Sequence, residues 1–274
     1  VGHAAGAAVT TGVSNTLIGS EAGNALTTGA GNVAVGYEAL KTEDAHGNNT
    51  AVGYRALKDL NVGATGNNTA VGYNAGANIT TGVQNTFIGG SSGDALTTAS
   101  TNTGLGFESL SALTTGNSNV AIGYRALKTD TLGDRNVAVG NEALATQNFT
   151  SSTDSYNVGV GYQAGTNLTT GGTNTLIGGL AGSAITTASH TVAVGYLALT
   201  ANTTGTGNVG IGYEALEAMT TGGKNVAVGY QALKTEDTHD RSTAIGYQSL
   251  TTQNAGANAQ NTAVGYASGS AITT

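Results

Sequence analysis

The stretch that decides the fold is NNTAVGYNAGANITTG, residues 67–82, because altered copies of it run through all 274 residues. We number each copy from the glycine that follows the AV pair, which is position zero. Twelve of the fifteen intervals between copies are 17 residues, and the other three are 19, 21 and 19. The sequence therefore predicts stacked coils that contact mainly their neighbours. The sixteen glycines are Gly2, Gly19, Gly36, Gly53, Gly72, Gly89, Gly106, Gly123, Gly140, Gly161, Gly178, Gly195, Gly212, Gly229, Gly246 and Gly265.

The motif alternates β-branched with small residues, which suits a strand and is unfavourable in a helix. Position −1 is Val, Ile or Leu in all sixteen copies, and position −3 is Thr or Val in all fifteen that are present. These positions share one strand face, which we expect to be the core, and the glycine is expected at a corner. The sequence thus predicts an all-β fold, a parallel β-solenoid or β-roll of about sixteen 17-residue coils with one short strand each. Representative residues are Val35, Val52, Val71, Gly36, Gly53 and Gly72.

Two further columns predict ladders that run from coil to coil. Position −4 is Asn in thirteen of fifteen copies, and stacked amides can hydrogen-bond along a column. Position +1 is Tyr in ten of sixteen copies, which predicts stacked aromatic rings. We interpret both columns as structural. Their representative residues are Asn32, Asn49, Asn68, Tyr37, Tyr54 and Tyr73.

Position −2 carries a small residue, Ala or Gly, except at Leu17, Phe87 and Leu176. In those three copies position +1 is Ser or Gly, so we interpret the two positions as competing for one space. A small, uncharged column also suggests that another surface approaches closely, since a thin coil gains burial by associating with copies of itself. The predicted contacts between chains are Ala34, Ala51 and Ala70.

Composition excludes several classes of function. The net charge is −7 and the nine Lys and Arg residues are scattered, so the chain lacks the basic stripe of a nucleic-acid-binding protein. No apolar run is long enough for membrane insertion. The sequence contains no cysteine, no phosphate-binding glycine motif and no Gly-x-Ser-x-Gly nucleophile motif. We therefore predict no catalytic residues, no cofactor and no enzyme activity.

Two matching loops, KTEDAH and KTEDTH, place His46 and His239 close to two carboxylates each. In a trimer, a ring of Glu43, Asp44 and His46 could hold a divalent cation. A polar loop is usually solvated, however, and we predict no metal-binding residues.

Three runs carry a resemblance to known repeats: NVAVGYEALK at residues 32–41, NTAVGYRALK at residues 49–58 and NVAIGYRALK at residues 119–128. They resemble the NSVAIG repeats in the heads of trimeric autotransporter adhesins of the YadA type. They are still more similar to Gly-Tyr-x-Ala-Leu repeats of phage tail-fibre proteins, notably from marine and cyanobacterial phages. The adhesin unit is about fourteen residues, whereas the unit here is 17 with Thr-Thr-Gly in place of its second small-residue motif.

The resemblance implies a left-handed parallel β-roll of three chains side by side in a virion tail fibre. Residues 1–274 would form a single solenoid domain, a fragment of a longer fibre chain whose shaft projects a receptor-binding tip for host attachment. The implied partners are two further copies, other fibre or baseplate proteins, and a host surface glycan or protein. A bacterial trimeric surface adhesin is the alternative. An ice-binding solenoid is a remote alternative, suggested by the repeated Thr-Thr pairs.

Overall fold

The computed structural model of the chain describes residues 1–63, 65–254 and 259–273. It is a parallel all-β solenoid of about 14 turns with a spacing of about 17 residues, which confirms the predicted fold class. The described residues contain fifteen three-residue strands rather than sixteen, because only Val1 precedes the first motif glycine, Gly2. The chain comprises two compact units. The first is Val1–Arg135 with Phe149–Thr153, and the second is Asn136–Asn148 with Asp154–Thr274.

In the first unit, each coil contributes one strand to a parallel stack in which equal motif positions face each other. Ala51, for example, lies opposite Ala34 on one side and Ala70 on the other. The strands are β1 Thr16–Ile18, β2 Val33–Val35, β3 Thr50–Val52, β4 Thr69–Val71, β5 Thr86–Ile88, β6 Thr103–Leu105, β7 Val120–Ile122 and the two-residue β8 Gly133–Asp134.

The second unit repeats this arrangement, with parallel pairing of the three-residue strands in chain order. Gly159, for example, lies opposite Ala138 and Leu176. The strands are β9 Val137–Val139, β11 Val158–Val160, β12 Thr175–Ile177, β13 Val192–Val194, β14 Val209–Ile211, β15 Val226–Val228, β16 Thr243–Ile245 and β17 Thr262–Val264. A two-residue strand, β10 Thr153–Asp154, begins in the first unit and ends in the second.

The strand face that points into the core is the opposite of the predicted one. The middle residue of each motif strand, position −2, points into the coil, and Ala34, Ala51 and Ala70 have no exposed surface. They are core residues, and their predicted role as contacts between chains is wrong. Position −1 points outward, so Val71 is 36% exposed and the prediction of a core role for Val35, Val52 and Val71 is also wrong. Position −2 stays small because buried leucines already occupy the space beside it: a Cβ atom at Gly159, for example, would lie 2.7 Å from Cγ of Leu144.

The three large residues at position −2 fill space that glycines leave free inside the coil. A Cβ atom at Gly93 would lie 2.5 Å from Cε1 of Phe87, and one at Gly76 in the preceding coil would lie 3.2 Å from Cδ2. Phe87 therefore depends on glycine at position +4 of its own coil and of the preceding one. The same arrangement places Leu17 between Gly6 and Gly23, and Leu176 between Gly165 and Gly182.

This packing corrects the interpretation that positions −2 and +1 compete for one space. Phe87 is fully buried, whereas the position +1 residue Tyr73 of the preceding coil is 59% exposed. The two positions point to opposite sides of the coil wall. Nothing in the structure explains why Ser20, Gly90 and Gly179 replace Tyr in the coils with a large inner residue.

Candidate functional site

The outward face of each unit, formed by positions −3, −1 and +1, is the most extensive exposed apolar feature among the described residues. Ile88 and Ile211 at position −1 are each 38% exposed, and Leu105 is 42% exposed. β-Branched and aromatic side chains thus repeat on this face at the spacing of stacked strands, about 4.7–4.9 Å. A contiguous apolar surface of this kind is typical of an association site.

The tyrosines at position +1 form stacked ladders along one edge of the outward face. Tyr37, Tyr54 and Tyr73 stack with ring centroids 5.3 and 5.2 Å apart. In the second unit, five rings stack at 5.0–5.8 Å. The guanidinium carbon of Arg55 lies 5.0 Å from the centroid of the Tyr54 ring, within the range of a cation–π contact. The five-ring ladder consists of Tyr196, Tyr213, Tyr230, Tyr247 and Tyr266.

The asparagines at position −4 form a ladder whose members between Asn32 and Asn225 are fully buried. The backbone N–H of Asn49 donates to Oδ1 of Asn32 at 3.0 Å, and that of Asn68 donates to Oδ1 of Asn49 at 3.1 Å. The Nδ2 group of Asn68 donates to the carbonyl of Gly82, 14 residues ahead in the next coil turn, at 2.9 Å. These amides satisfy backbone groups where the coil bends, so the column is structural and offers no surface to a ligand.

Sequence reasoning missed a row of ion pairs between neighbouring coils. Glu38 at position +2 is 7% exposed and accepts from Arg55 of the next coil at 2.7 Å and from Lys41 of its own coil at 2.8 Å. The hydrogen bond from Lys41 lowers the pKa of the Glu38 carboxyl. Glu108 and Glu214 occupy the same position and pair with cations of the following coil, Glu108 with Arg125 and Lys128 and Glu214 with Lys234. The signal in the sequence was a lysine or arginine 17 or 20 residues after an acidic residue.

The Thr-Thr pairs lie on a different side of the coil from the outward face. The hydroxyl of the first threonine donates along the column, as from Thr80 to the carbonyl of Thr97 at 3.1 Å and from Thr97 to that of Thr114 at 3.3 Å. The second threonine, such as Thr81 or Thr98, is exposed. One hydroxyl of each pair is therefore engaged by the neighbouring coil and is not free to donate to solvent.

The two acidic loops differ from the solvated loops that the sequence predicts. Glu43 and Glu236 are fully buried, while the side chains of His46 and His239 are 30% and 15% exposed. Burial raises the pKa of the Glu43 carboxyl. The sequence around these glutamates is polar, and nothing in it indicates that the coil encloses them.

Replacing Tyr230 with alanine should lower the free energy of unfolding by about 1–2 kcal/mol, because two ring contacts at 5.1 and 5.0 Å are lost together with their buried area. Tyr162→Ala is the matched control. Tyr162 occupies the same position and is 56% exposed, but its neighbours in the column are Asn141 and Gly179. Urea unfolding at one protein concentration measures both variants. Equal losses would show that stacking contributes nothing measurable.

No protein-family model matches the chain, and neither the curated proteins nor the solved structures include a significant match to it. Within the described residues there is no helix of the length and apolar character needed to cross a membrane.

Proposed function

We propose that this chain is a segment of the structural shaft of a phage tail fibre, in which three copies associate side by side through their outward faces. The shaft would hold a receptor-binding region away from the particle. Its work would be mechanical, because in-register strands, the buried Asn column and the stacks of Tyr rings resist bending and local unfolding. The resemblance of the GYxAL runs to tail-fibre repeats supplies the biological setting.

The observation that carries the proposal is the exposed row of β-branched and aromatic side chains on both units. Val71, Ile88 and Leu105 on the first unit and Ile177, Ile211 and Ile245 on the second are all at least 36% exposed. Exposed apolar residues that recur along a chain cost solubility unless they are covered. The same face on a second and third copy would cover them at matching spacing, since all copies share one repeat.

The oligomer is tested by sedimentation equilibrium, with an expected mass of three times the 26.8 kDa of one chain. Val71→Lys combined with Ile88→Lys should give a folded monomer, because buried lysines without partners oppose association while solvated ones leave the coil intact. Thr81→Lys combined with Thr98→Lys is the control. These threonines are exposed on the other side of the coil, and their variant should stay trimeric. A monomer before any substitution would contradict the trimer.

The biological setting is tested by electron microscopy with a gold-labelled antibody against this chain. Label on the tail fibres of phage particles is the expected result. Label confined to a bacterial cell surface would contradict the proposal and favour the adhesin.

A further inference from the structure

Two loops, one in each unit, bring together the same three potential metal ligands at the same motif positions. Glu43, Asp44 and His46 each offer a ligand atom within 4.8 Å of the others, and so do Glu236, Asp237 and His239. All six lie at positions +7, +8 and +10 of their coils. The first residue of each set is enclosed by the coil, whereas the other two are partly exposed and leave access from solvent.

The buried carboxylate of Glu43 is held in place but not neutralised by a lysine or arginine. Its Oε1 accepts from the backbone N–H of His46 at 3.0 Å, and its Oε2 accepts from that of Val62 at 3.3 Å. These two bonds leave further lone pairs on the carboxylate. Within the described part of the chain its ion-pair partner is the imidazole of His46. An enclosed carboxylate without a permanent cation is costly, so a cation bound beside it would be stabilising.

The imidazole of His46 gives an independent indication of a bound ion. Its Nδ1 atom is buried and has no hydrogen-bond partner among the described residues. It lies 3.6 Å from Oε1 of Glu43, too far for a hydrogen bond. Two ligands of one tetrahedral Zn²⁺, each at about 2.0–2.1 Å, are about 3.3–3.5 Å apart. In the second loop, Nδ1 of His239 is 2.7 Å from Oε1 of Glu236 and is hydrogen-bonded to it. The corresponding pair in the first loop is 3.6 Å apart, so the two matching loops accommodate both separations.

We propose that each loop binds one Zn²⁺ ion, through Nδ1 of His46 with the Glu43 and Asp44 carboxylates, and through Nδ1 of His239 with the Glu236 and Asp237 carboxylates. A water molecule would complete a tetrahedral set. An imidazole among two carboxylates suits zinc better than Ca²⁺ or Mg²⁺, which prefer six or more oxygen ligands. Each ion would neutralise a buried carboxylate and fasten a loop in a chain without cysteine. This inference does not depend on the proposed function.

Isothermal titration of the full chain with ZnCl₂, in metal-free buffer near neutral pH, should show two ions bound per chain. His46→Gln should bind one ion, and His46→Gln with His239→Gln should bind none. His190→Gln is the matched control and should still bind two. His190 is exposed at a corner with φ of 58° and lies in no such cluster among the described residues.

Thermal unfolding followed by circular dichroism separates loss of a site from loss of the fold. The unsubstituted chain should melt at a higher temperature with excess Zn²⁺, because a ligand that binds only the folded state stabilises it. The double histidine variant should fold but show no zinc-dependent shift. Absence of zinc uptake by the unsubstituted chain, or undiminished uptake by the double variant, would overturn the proposal. Tighter binding of Ca²⁺ than of Zn²⁺ would also overturn it.

Discussion

Replacing Gly53 with alanine should lower the free energy of unfolding by about 3 kcal/mol or more. Gly53 has a φ of 135°, a conformation open essentially to glycine alone. A Cβ atom there would also collide with the backbone carbonyl oxygen of Gly72 in the next coil. Neither chain segment can move aside, because main-chain hydrogen bonds to the preceding coil hold both. The N–H of Gly53 donates to the carbonyl of Val35, and that of Gly72 donates to the carbonyl of Val52.

Gly63→Ala provides the control for this prediction. A Cβ atom at Gly63 would meet no atom of the described residues within 4 Å, and its φ lies outside the range of +20° to +160°. The expected change is within about 0.5 kcal/mol. Both variants are measured by urea unfolding at one protein concentration, because association would otherwise change the apparent stability. A Gly53→Ala protein as stable as Gly63→Ala would show that the coil adapts at this corner, and the rigid ladder described above would be wrong.

The sequence was sufficient to predict where each motif strand lies and how these strands pair, but not the two-residue strands β8 and β10. Strands such as Thr50–Val52 and Thr69–Val71 coincide with the motif, and their register follows from the repeat because equal positions face each other. The internal repeats supply this information without an alignment of related sequences, because each copy must fit against a near-identical neighbour.

The sequence was not sufficient to predict which strand face is buried. In Thr-Ala-Val the alternation is clear, but hydrophobicity assigns Val to the core and Ala to the surface. In the structure the assignment is reversed: Ala51 is buried and Val52 is partly exposed. The deciding quantity is the volume enclosed by a narrow coil, which is a property of the closed turn and not of the strand. The same enclosure buries Glu43, which a reading of local polarity places in solvent.

At position +4, leucine adopts a left-handed conformation that its local preference does not predict. Leu40 and Leu57 have φ values of 51° and 49°, which are unfavourable for residues with a Cβ atom. The stack imposes them, because the N–H of Leu40 donates to Ala56 and that of Leu57 to Ala75 in the following coil, both at 3.0 Å. This explains why the position accepts either Leu or Gly. Glycine adopts the conformation freely, and leucine offsets its cost by filling the interior.

Replacing Asn85 with alanine should lower the free energy of unfolding by about 2–4 kcal/mol, because two buried backbone groups lose their partners at about 1–3 kcal/mol each. Oδ1 of Asn85 accepts from the N–H of Asn102 at 2.9 Å, and Nδ2 donates to the carbonyl of Ala99 at 2.9 Å. Asn102 is fully buried and Ala99 is 1% exposed, so water does not readily replace the amide. The methyl group of alanine leaves a space too small to restore both bonds through one ordered water without displacing the neighbouring coil.

Asn78→Ala is the matched control for the buried ladder, because Asn78 lies seven residues before Asn85 and also donates to a backbone carbonyl, that of Asp94 at 2.7 Å. Its side chain is exposed, so water replaces the lost bond and the expected change is within about 0.5 kcal/mol. Hydrogen exchange gives a second measurement, since the amide of Asn102 should exchange much faster in Asn85→Ala than in Asn78→Ala. Equal stability of the two variants, with unchanged protection of Asn102, would show that the asparagine column is not what holds successive coils in register.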